Sequence, residues 1–454
     1  MMIRNKNELA TTPLREEVLV LVEAGIKRIL PPNLMKNSVT YDSRRRTIRV
    51  DQDPCDLTGG RLFVIGGGKA SGLMAETLEQ MIGSESITAG VVNCKSAAYV
   101  TDSIRIREAG HPIPDGRGID GVNEMLSLKE CYRIDEHDVI ICLISGGGSA
   151  LMPCPATGIS LSDKQSLTAL LIASGAAIGE INAVRKHLSR IKGGRLGEFF
   201  APATVLSLII SDVIGNDLSV IASGPTYPDR TTYSDALDIL AKYNLLSKAP
   251  QSVLRLLEKG KHGEVAETPK KLANCKNHII GDNRLALEAM AAKAREMGLN
   301  PLIVTAAQKG DTETAARTRA DEIQNGKYTG FNVILIGGET TPKLPDVHGK
   351  GGRNQHYAAS SMLALKDYPG GWALASIGTD GSDYLPDVAG GLVDSSSLEA
   401  ALSLGIDVRG YLDSYDSFTL LEQMGNSLVI TGDTGTNVGD VMVYVLKHGG
   451  RTDA

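Results

Sequence analysis

Two glycine loops, each closing an apolar run, carry the residue types that could hold an anion: Phe63-Val-Ile-Gly-Gly-Gly-Lys69-Ala-Ser71 and Val139-Ile-Ile-Cys-Leu-Ile-Ser145-Gly-Gly-Gly-Ser149. A continuous apolar run is how a buried parallel strand reads. Glycines past its carboxyl end let backbone N–H groups approach an anion, and a helix that follows adds positive potential there. Gly67, Gly68 and Ser71 of the first loop are therefore candidate phosphate- or carboxylate-binding residues, as are Ser145, Gly146, Gly147, Gly148 and Ser149 of the second. Lys69, one residue beyond three glycines, offers a mobile point charge to a phosphate. Arg353, in Gly351-Gly-Arg-Asn-Gln355, offers a rigid bidentate fork suited to a phosphoryl group or carboxylate. A cation in a cleft loop is expected to contribute little to thermal stability.

Acids at strand ends supply the other half of such chemistry. Asp212 closes the apolar run of Ile209-Ile-Ser-Asp-Val-Ile-Gly215, where a charge is costly unless paired or bound to metal. Mg²⁺ takes one or two carboxylates plus substrate phosphates, so Asp212 or Asp380 could hold it or act as base. Glu339 and Asn354 lie in further polar, glycine-rich loops. Asn182, Arg185, Lys186 and Lys192 form a polar stripe at helical spacing, a pattern that a solvated helix face also gives. His111, in the rigid loop His111-Pro-Ile-Pro-Asp115, could touch a ligand or be structural.

Two familiar nucleotide loops do not fit. The P-loop pattern fails because Phe63 stands at its leading glycine and Ala70 follows Lys69. The dinucleotide fingerprint has Ser71 at its third glycine, and the next strand ends in Asn93 rather than an acid for the ribose. A net charge of −6 with 4% aromatic residues gives no footprint for nucleic acid. No stretch is long and apolar enough for a membrane span, the first residues are polar, and the six cysteines are scattered. A cytoplasmic protein acting on a small molecule is expected; a homo-oligomer is left open.

These loops need a scaffold, and the chain supplies one. At 454 residues it exceeds one ordinary core. Strand-like and helix-like segments alternate, predicting an α/β fold. Strands are expected at 62–65, 89–93, 137–144, 205–211, 302–305, 332–336, 372–377 and 426–431, with helices between them. Residues 244–276 are polar, lysine-rich and only loosely helical in pattern, which places the domain joint there. Two layered α/β domains follow, residues 1–260 (Rossmann-like) and 261–454, each a sheet with helices on its faces. Ligands of such sheets sit at strand carboxyl ends, so an active site in the interdomain cleft is expected.

Taken in order, Gly67-Gly-Lys-Ala-Ser71, Gly110-His-Pro-Ile-Pro-Asp115, Leu143-Ile-Ser-Gly-Gly-Gly-Ser-Ala-Leu151 and Asn182-Ala-Val-Arg-Lys-His-Leu-Ser189 carry a resemblance. So do Lys192-Gly-Gly-Arg-Leu196, Ser211-Asp-Val213, Ser223-Gly-Pro225, Gly337-Gly-Glu-Thr340, Gly351-Gly-Arg-Asn-Gln355, Gly378-Thr-Asp-Gly381 and Thr434-Gly-Thr-Asn437. The chain closely resembles the class II glycerate kinases, whose C-terminal part is the MOFRL domain, from about residue 10 to residue 447. The resemblance implies phosphorylation of D-glycerate by ATP with Mg²⁺, usually at the 2-hydroxyl. It makes Lys69 and Arg353 the catalytic pair and gives the second half its MOFRL-like character. Some relatives are called hydroxypyruvate reductases, an NAD(P)H-dependent activity that the failed fingerprint disfavours. The sequence departs from the family at Ser382-Asp-Tyr-Leu-Pro-Asp-Val388 and at Asp433, so another short hydroxy acid is an alternative acceptor. A non-catalytic sugar-acid sensor is a third reading.

Overall fold

The computed structural model describes residues 2–447; residues 448–454 of the expected second domain lie outside the described residues. The chain divides into two compact units, residues 34–280 and residues 1–33 together with 281–454. This differs from a break at residue 260 for two physical reasons. Strand Cys275–Gly281 completes a sheet of the first unit. Helix Pro13–Arg28 buries Val18, Leu19, Val22 and Ile26 within the second unit, where it packs on helix Asn283–Glu296.

In the first unit, β1 (Val39–Asp42), β2 (Thr47–Val50) and β3 (Asp53–Asp56) form a three-stranded antiparallel sheet. Strands this short carry too few alternations to be legible as a pattern. The main sheet contains β4 (Leu62–Gly67), β5 (Ala89–Cys94), β6 (Ile104–Glu108), β7 (Val139–Ser145), β8 (Thr204–Ile210) and β9 (Cys275–Gly281). Its order is β6-β5-β4-β7-β8-β9. Strands β4 to β8 pair in parallel, so their carboxyl ends share one edge. Every residue of β4 and β7 is buried, as their uninterrupted apolar runs predict.

Beside this sheet, helices Leu161–Ala173, Ile178–His187, Tyr233–Lys242 and Gln251–Lys261 pack around Leu167, Leu171, Val184, Leu240, Val253 and Leu257. A third of the segment expected to be a loose joint is thus a packed amphipathic helix. Its lysines are the outer face, while Val253 and Leu257 are the inner one.

The second unit is built on β10 (Pro301–Gln308), β11 (Val333–Gly338), β12 (Gly371–Gly378), β13 (Gly390–Asp394), β14 (Leu428–Val429) and β15 (Asp440–Lys447). The order is β10-β11-β15-β12-β13-β14. Strand β10 runs parallel to β11, whereas β15 runs antiparallel to both β11 and β12. The last strand among the described residues is therefore inserted at the centre of the sheet. The strand expected at 426–431 shrinks to β14. Ile334, Ile336, Leu374, Met442 and Tyr444 form the core under helices Thr312–Gln324 and Arg353–Ala364. Among the described residues no helix is long and apolar enough to cross a membrane.

Candidate active site

The carboxyl edge of the first unit's parallel sheet gathers the predicted loops. Adjacent strands β4, β7 and β8 end in Gly67, Ser145 and Ile210, which places Lys69, the Ser145–Ser149 loop and half-buried Asp212 at one edge. The two glycine loops are laced together. Lys69 N–H donates to Gly146 O at 2.8 Å, Ala70 N–H to Ser145 Oγ at 2.9 Å, and Ser71 Oγ to Leu143 O at 3.1 Å. Gly68 is required there: a methyl group on it would stand 2.1 Å from Ser145 Oγ.

This lacing changes the role of the first loop. The N–H groups of Gly68, Lys69, Ala70 and Ser71 all have protein acceptors, and Ser71 and Ser145 are buried. The loop is a rigid mount for Lys69 rather than a backbone cradle. By contrast, Gly147 caps the short helix Gly148–Leu151 without a side chain, in the left-handed conformation (φ +81°). A methyl group on Gly147 would stand 3.0 Å from His111 Nε2 and 3.2 Å from Lys69 Cγ. The His111 ring and the Lys69 stem therefore flank the same glycine. Both side chains are half-buried, which suits contact with a ligand.

Behind Ser149 lies a chain of buried polar groups. Ser149 Oγ and Ser223 Oγ are 2.7 Å apart, Ser223 Oγ donates to Asn182 Oδ1 at 3.1 Å, and Lys192 Nζ donates to Ser149 O at 3.0 Å. Ala222 and Ser223 both sit at positive φ (+49° and +63°), a strained pair of the kind found at functional sites. Ser223 was visible only within its Ser-Gly-Pro motif; its part in this chain depends on a left-handed turn that no composition reveals.

Lys186 departs from the expected ligand set. It forms a buried ion pair with Asp229 at 3.2 Å. Burial works against the Asp229 carboxylate, yet Lys186 and the Thr231 donors hold it below its ordinary range. Lys186 thus braces helix Ile178–His187. Its neighbour Arg185 is coupled to Lys192 and to Lys164, a residue with no sequence signal beyond its position on helix Leu161–Ala173.

In the second unit the insertion of β15 builds a charged centre. Asp440 pairs opposite Gly338 of β11 and Gly378 of β12 and is completely buried. Arg353 grips it with two hydrogen bonds, Nε to Oδ2 at 2.5 Å and Nη2 to Oδ1 at 3.0 Å. Nη1 meets exposed Glu339 at 2.9 Å. Burial opposes the Arg353 charge, but Asp440 and Glu339 outweigh it and raise the guanidinium above its ordinary range. A methyl group on Gly378 would lie 3.5 Å from Asp380 Oδ1 and 3.6 Å from Asp440 Oδ1, so these acids flank one glycine.

Asn354 is buried rather than ligand-facing. Its N–H donates to Asp383 Oδ1 at 3.0 Å, and its own Oδ1 accepts from Ser376 Oγ at 2.7 Å. Asp383 also accepts from Gln355 N–H at 2.8 Å, so it caps helix Arg353–Ala364 and fixes where Arg353 begins. Burial pushes the Asp383 carboxyl up to about 6 despite those donors. Asp380 turns its own loop by accepting from Ser382 N–H and Oγ, both at 3.0 Å. No cluster of three or more His, Cys, Asp or Glu side chains among the described residues could hold a metal by itself. Mg²⁺ carried by substrate phosphates needs as few as one protein carboxylate. Completely buried Asp440, with both oxygens on Arg353, does not supply it, which leaves half-buried Asp380 as the acid of this pair that could.

The sequence matches a domain of unknown function (DUF4147) over residues 17–258 and the MOFRL family over residues 332–440. It is 38% identical to the glycerate 2-kinase of Pyrococcus horikoshii, covering 97% of this chain and 99% of that protein. The chain belongs to the glycerate 2-kinase family. Within that family it is 36% identical to the D-glycerate 2-kinase of Thermotoga maritima, covering 95% of this chain and 98% of that one. The crystal structure of a Thermotoga maritima glycerate kinase matches with a TM-score of 0.81 at 36% identity, over 95% of this chain and 99% of that one. The glycerate kinase fold thus spans both units described here.

Proposed function

We propose that this chain transfers the γ-phosphoryl group of ATP to the 2-hydroxyl of D-glycerate, giving 2-phosphoglycerate and ADP. The observation that carries the reading is identity of 36–38% to two glycerate 2-kinases over nearly the whole of both chains. Phosphoryl transfer asks the protein mainly for positioning and charge, and the two charged centres are of that kind. Lys69, on its rigid mount beside His111, serves the phosphoryl oxygens. Arg353 serves the same reaction as a pre-set cation whose fork is fixed by Asp440.

The acceptor hydroxyl loses its proton as its oxygen bonds to phosphorus and the bond to the ADP oxygen breaks. Asp212 is the proposed base, in keeping with its place at the edge that carries Lys69. The resident cation would be Mg²⁺ held by Asp380 or Asp212, where it would neutralise phosphate charge. Gly67, Gly68, Ser71 and Ser145 support the site, while Gly146, Gly147, Gly148, Ser149 and His111 approach the substrates. All six cysteines are free, which fits a reducing cytoplasm.

A nicotinamide-dependent hydroxypyruvate reductase is the competing reading. Against it, Asn93 at the end of β5 is buried and donates to Gly118 O at 2.9 Å and Leu151 O at 2.8 Å. A ribose-binding acid would be needed there. A coupled assay for ADP with D-glycerate, ATP and Mg²⁺, run beside NADH oxidation with hydroxypyruvate, separates the two. ADP formation supports the kinase; NADH oxidation without ADP formation overturns it.

A further inference from the structure

Two of the four buried Lys and Arg side chains among the described residues are matched by an acid. Lys186 has Asp229, and Arg15 has Asp394. Buried Lys164 and Lys192 of the first unit are not, and half-buried Arg185 shares their lack of an acid. Lys164 is 9% exposed, and its Nζ has no hydrogen-bond partner. Lys192 is 1% exposed, and its Nζ donates to the neutral carbonyl of Ser149. Arg185 forms no ion pair with a carboxylate among the described residues.

Helix Leu161–Ala173, which carries Lys164, packs on helix Ile178–His187, which carries Arg185. Burial and then Arg185 lower Lys164; burial, then Arg185 and Lys164, lower Lys192. The group that offsets both lysines is the Cys154 thiol, itself pushed up by burial and hence uncharged. Two buried lysines repelled by a half-buried arginine call for a compensating negative charge. Their place in the fold shows where that would be. Lys192 touches the Ser149 carbonyl, and Asn182, joined through Ser223 to Ser149 Oγ, stands three residues before Arg185 on the same helix face.

We propose that Lys164, Arg185 and Lys192 form a seat for a compact oxyanion beside the Ser145–Ser149 loop, with Lys164 reserved for that ligand. An oxyanion supplies the missing negative charge and accepts from all three side chains, Arg185 through its planar fork. A carboxylate of the acceptor and a phosphate of the nucleotide share this chemistry. The proposal deepens the kinase reading and rests on it only for which anion is delivered.

Calorimetric titration of the full chain with inorganic phosphate, D-glycerate and uncharged glycerol tests the seat without turnover. Wild type should bind at least one of the two anions and not glycerol. K164M should weaken that binding about tenfold or more, while K164R restores it to within about threefold. K164M should also keep or raise the Tm of the ligand-free protein, since it removes an uncompensated charge. Anion binding unchanged in folded K164M, or no anion binding by wild type, would overturn the seat. KM values assign the source: a rise for D-glycerate alone marks the carboxylate, and a rise for ATP alone marks the phosphate. Lys164-dependent anion binding without ADP formation would sink only the kinase reading. Full kinase activity with both KM values unchanged in K164M would sink only the seat.

Discussion

Arg353 and completely buried Asp440 face each other through two hydrogen bonds, at 2.5 and 3.0 Å. Asp440 opens β15 between Gly338 and Gly378, and Arg353 opens the helix capped by Asp383. The guanidinium is consequently a fixed charge, aimed by one acid and bounded by another. Arg353→Lys keeps the charge and loses the fork. We expect kcat to fall about a hundredfold, about 2.7 kcal/mol of transition-state stabilisation. Steady-state kinetics with saturating ATP will check it; near-wild-type kcat/KM would make Arg353 purely structural.

The same pair revises the expectation that Arg353 matters little to stability. Removing one partner of a buried pair leaves the other uncompensated, at a cost of about 3–5 kcal/mol. Arg353 retains partial exposure, with 31% of its side chain accessible, so the lower end applies to Arg353→Ala. Arg353→Ala with Asp440→Asn should recover much of that loss, as a double-mutant cycle by urea denaturation would show. Additive losses would contradict the pairing.

Gly147→Ala probes the Lys69–His111 junction. The new methyl would need a left-handed backbone, at about 1–2 kcal/mol, and would stand 2.9 Å from His111 Cδ2. Displacing His111 and Lys69 should lower kcat/KM at least about tenfold while circular dichroism stays native. Wild-type kinetics in this variant would remove Gly147 from the site.

The pH dependence of stability follows from Lys164. Burial, reinforced by Arg185, pushes its ammonium down to about 8 from an ordinary 10.5. Arg185, Lys192 and the Cys154 thiol face it. Between those two values the unfolded chain binds more protons than the folded chain, so stability rises with pH across that window. Urea denaturation at about pH 7.5 and about pH 10 should show wild type gaining on K164M. An identical gain in both would mean that Lys164 is not the titrating group.

Much of this was legible in the sequence, and the reasons are local. The runs 62–65 and 139–145 announce buried parallel strands, and the glycines after them announce where Lys69 and Ser149 stand. What was illegible is non-local. Asp440 is an ordinary acid before an apolar run until β15 inserts between β11 and β12 and brings it under Arg353. Lys164 reads as an ordinary lysine of helix Leu161–Ala173 until that helix packs on Ile178–His187, which carries Arg185. Asn354 and Lys186 look like ligand donors because a polar residue near a glycine loop carries no mark of whether Asp383 or Asp229 will claim it. The N-terminal helix Pro13–Arg28 joins the distant unit through helix Asn283–Glu296, a pairing that no break in composition signals.

The central claim, phosphoryl transfer from ATP to the 2-hydroxyl of D-glycerate, is tested most directly by phosphorus NMR of the reaction products. Wild type with D-glycerate, ATP and Mg²⁺ should yield ADP and 2-phosphoglycerate in equal amounts, with Lys69→Met yielding neither at a comparable rate. A 3-phosphoglycerate resonance would contradict the assigned hydroxyl, and unchanged ATP beside active hydroxypyruvate reduction would contradict the kinase itself.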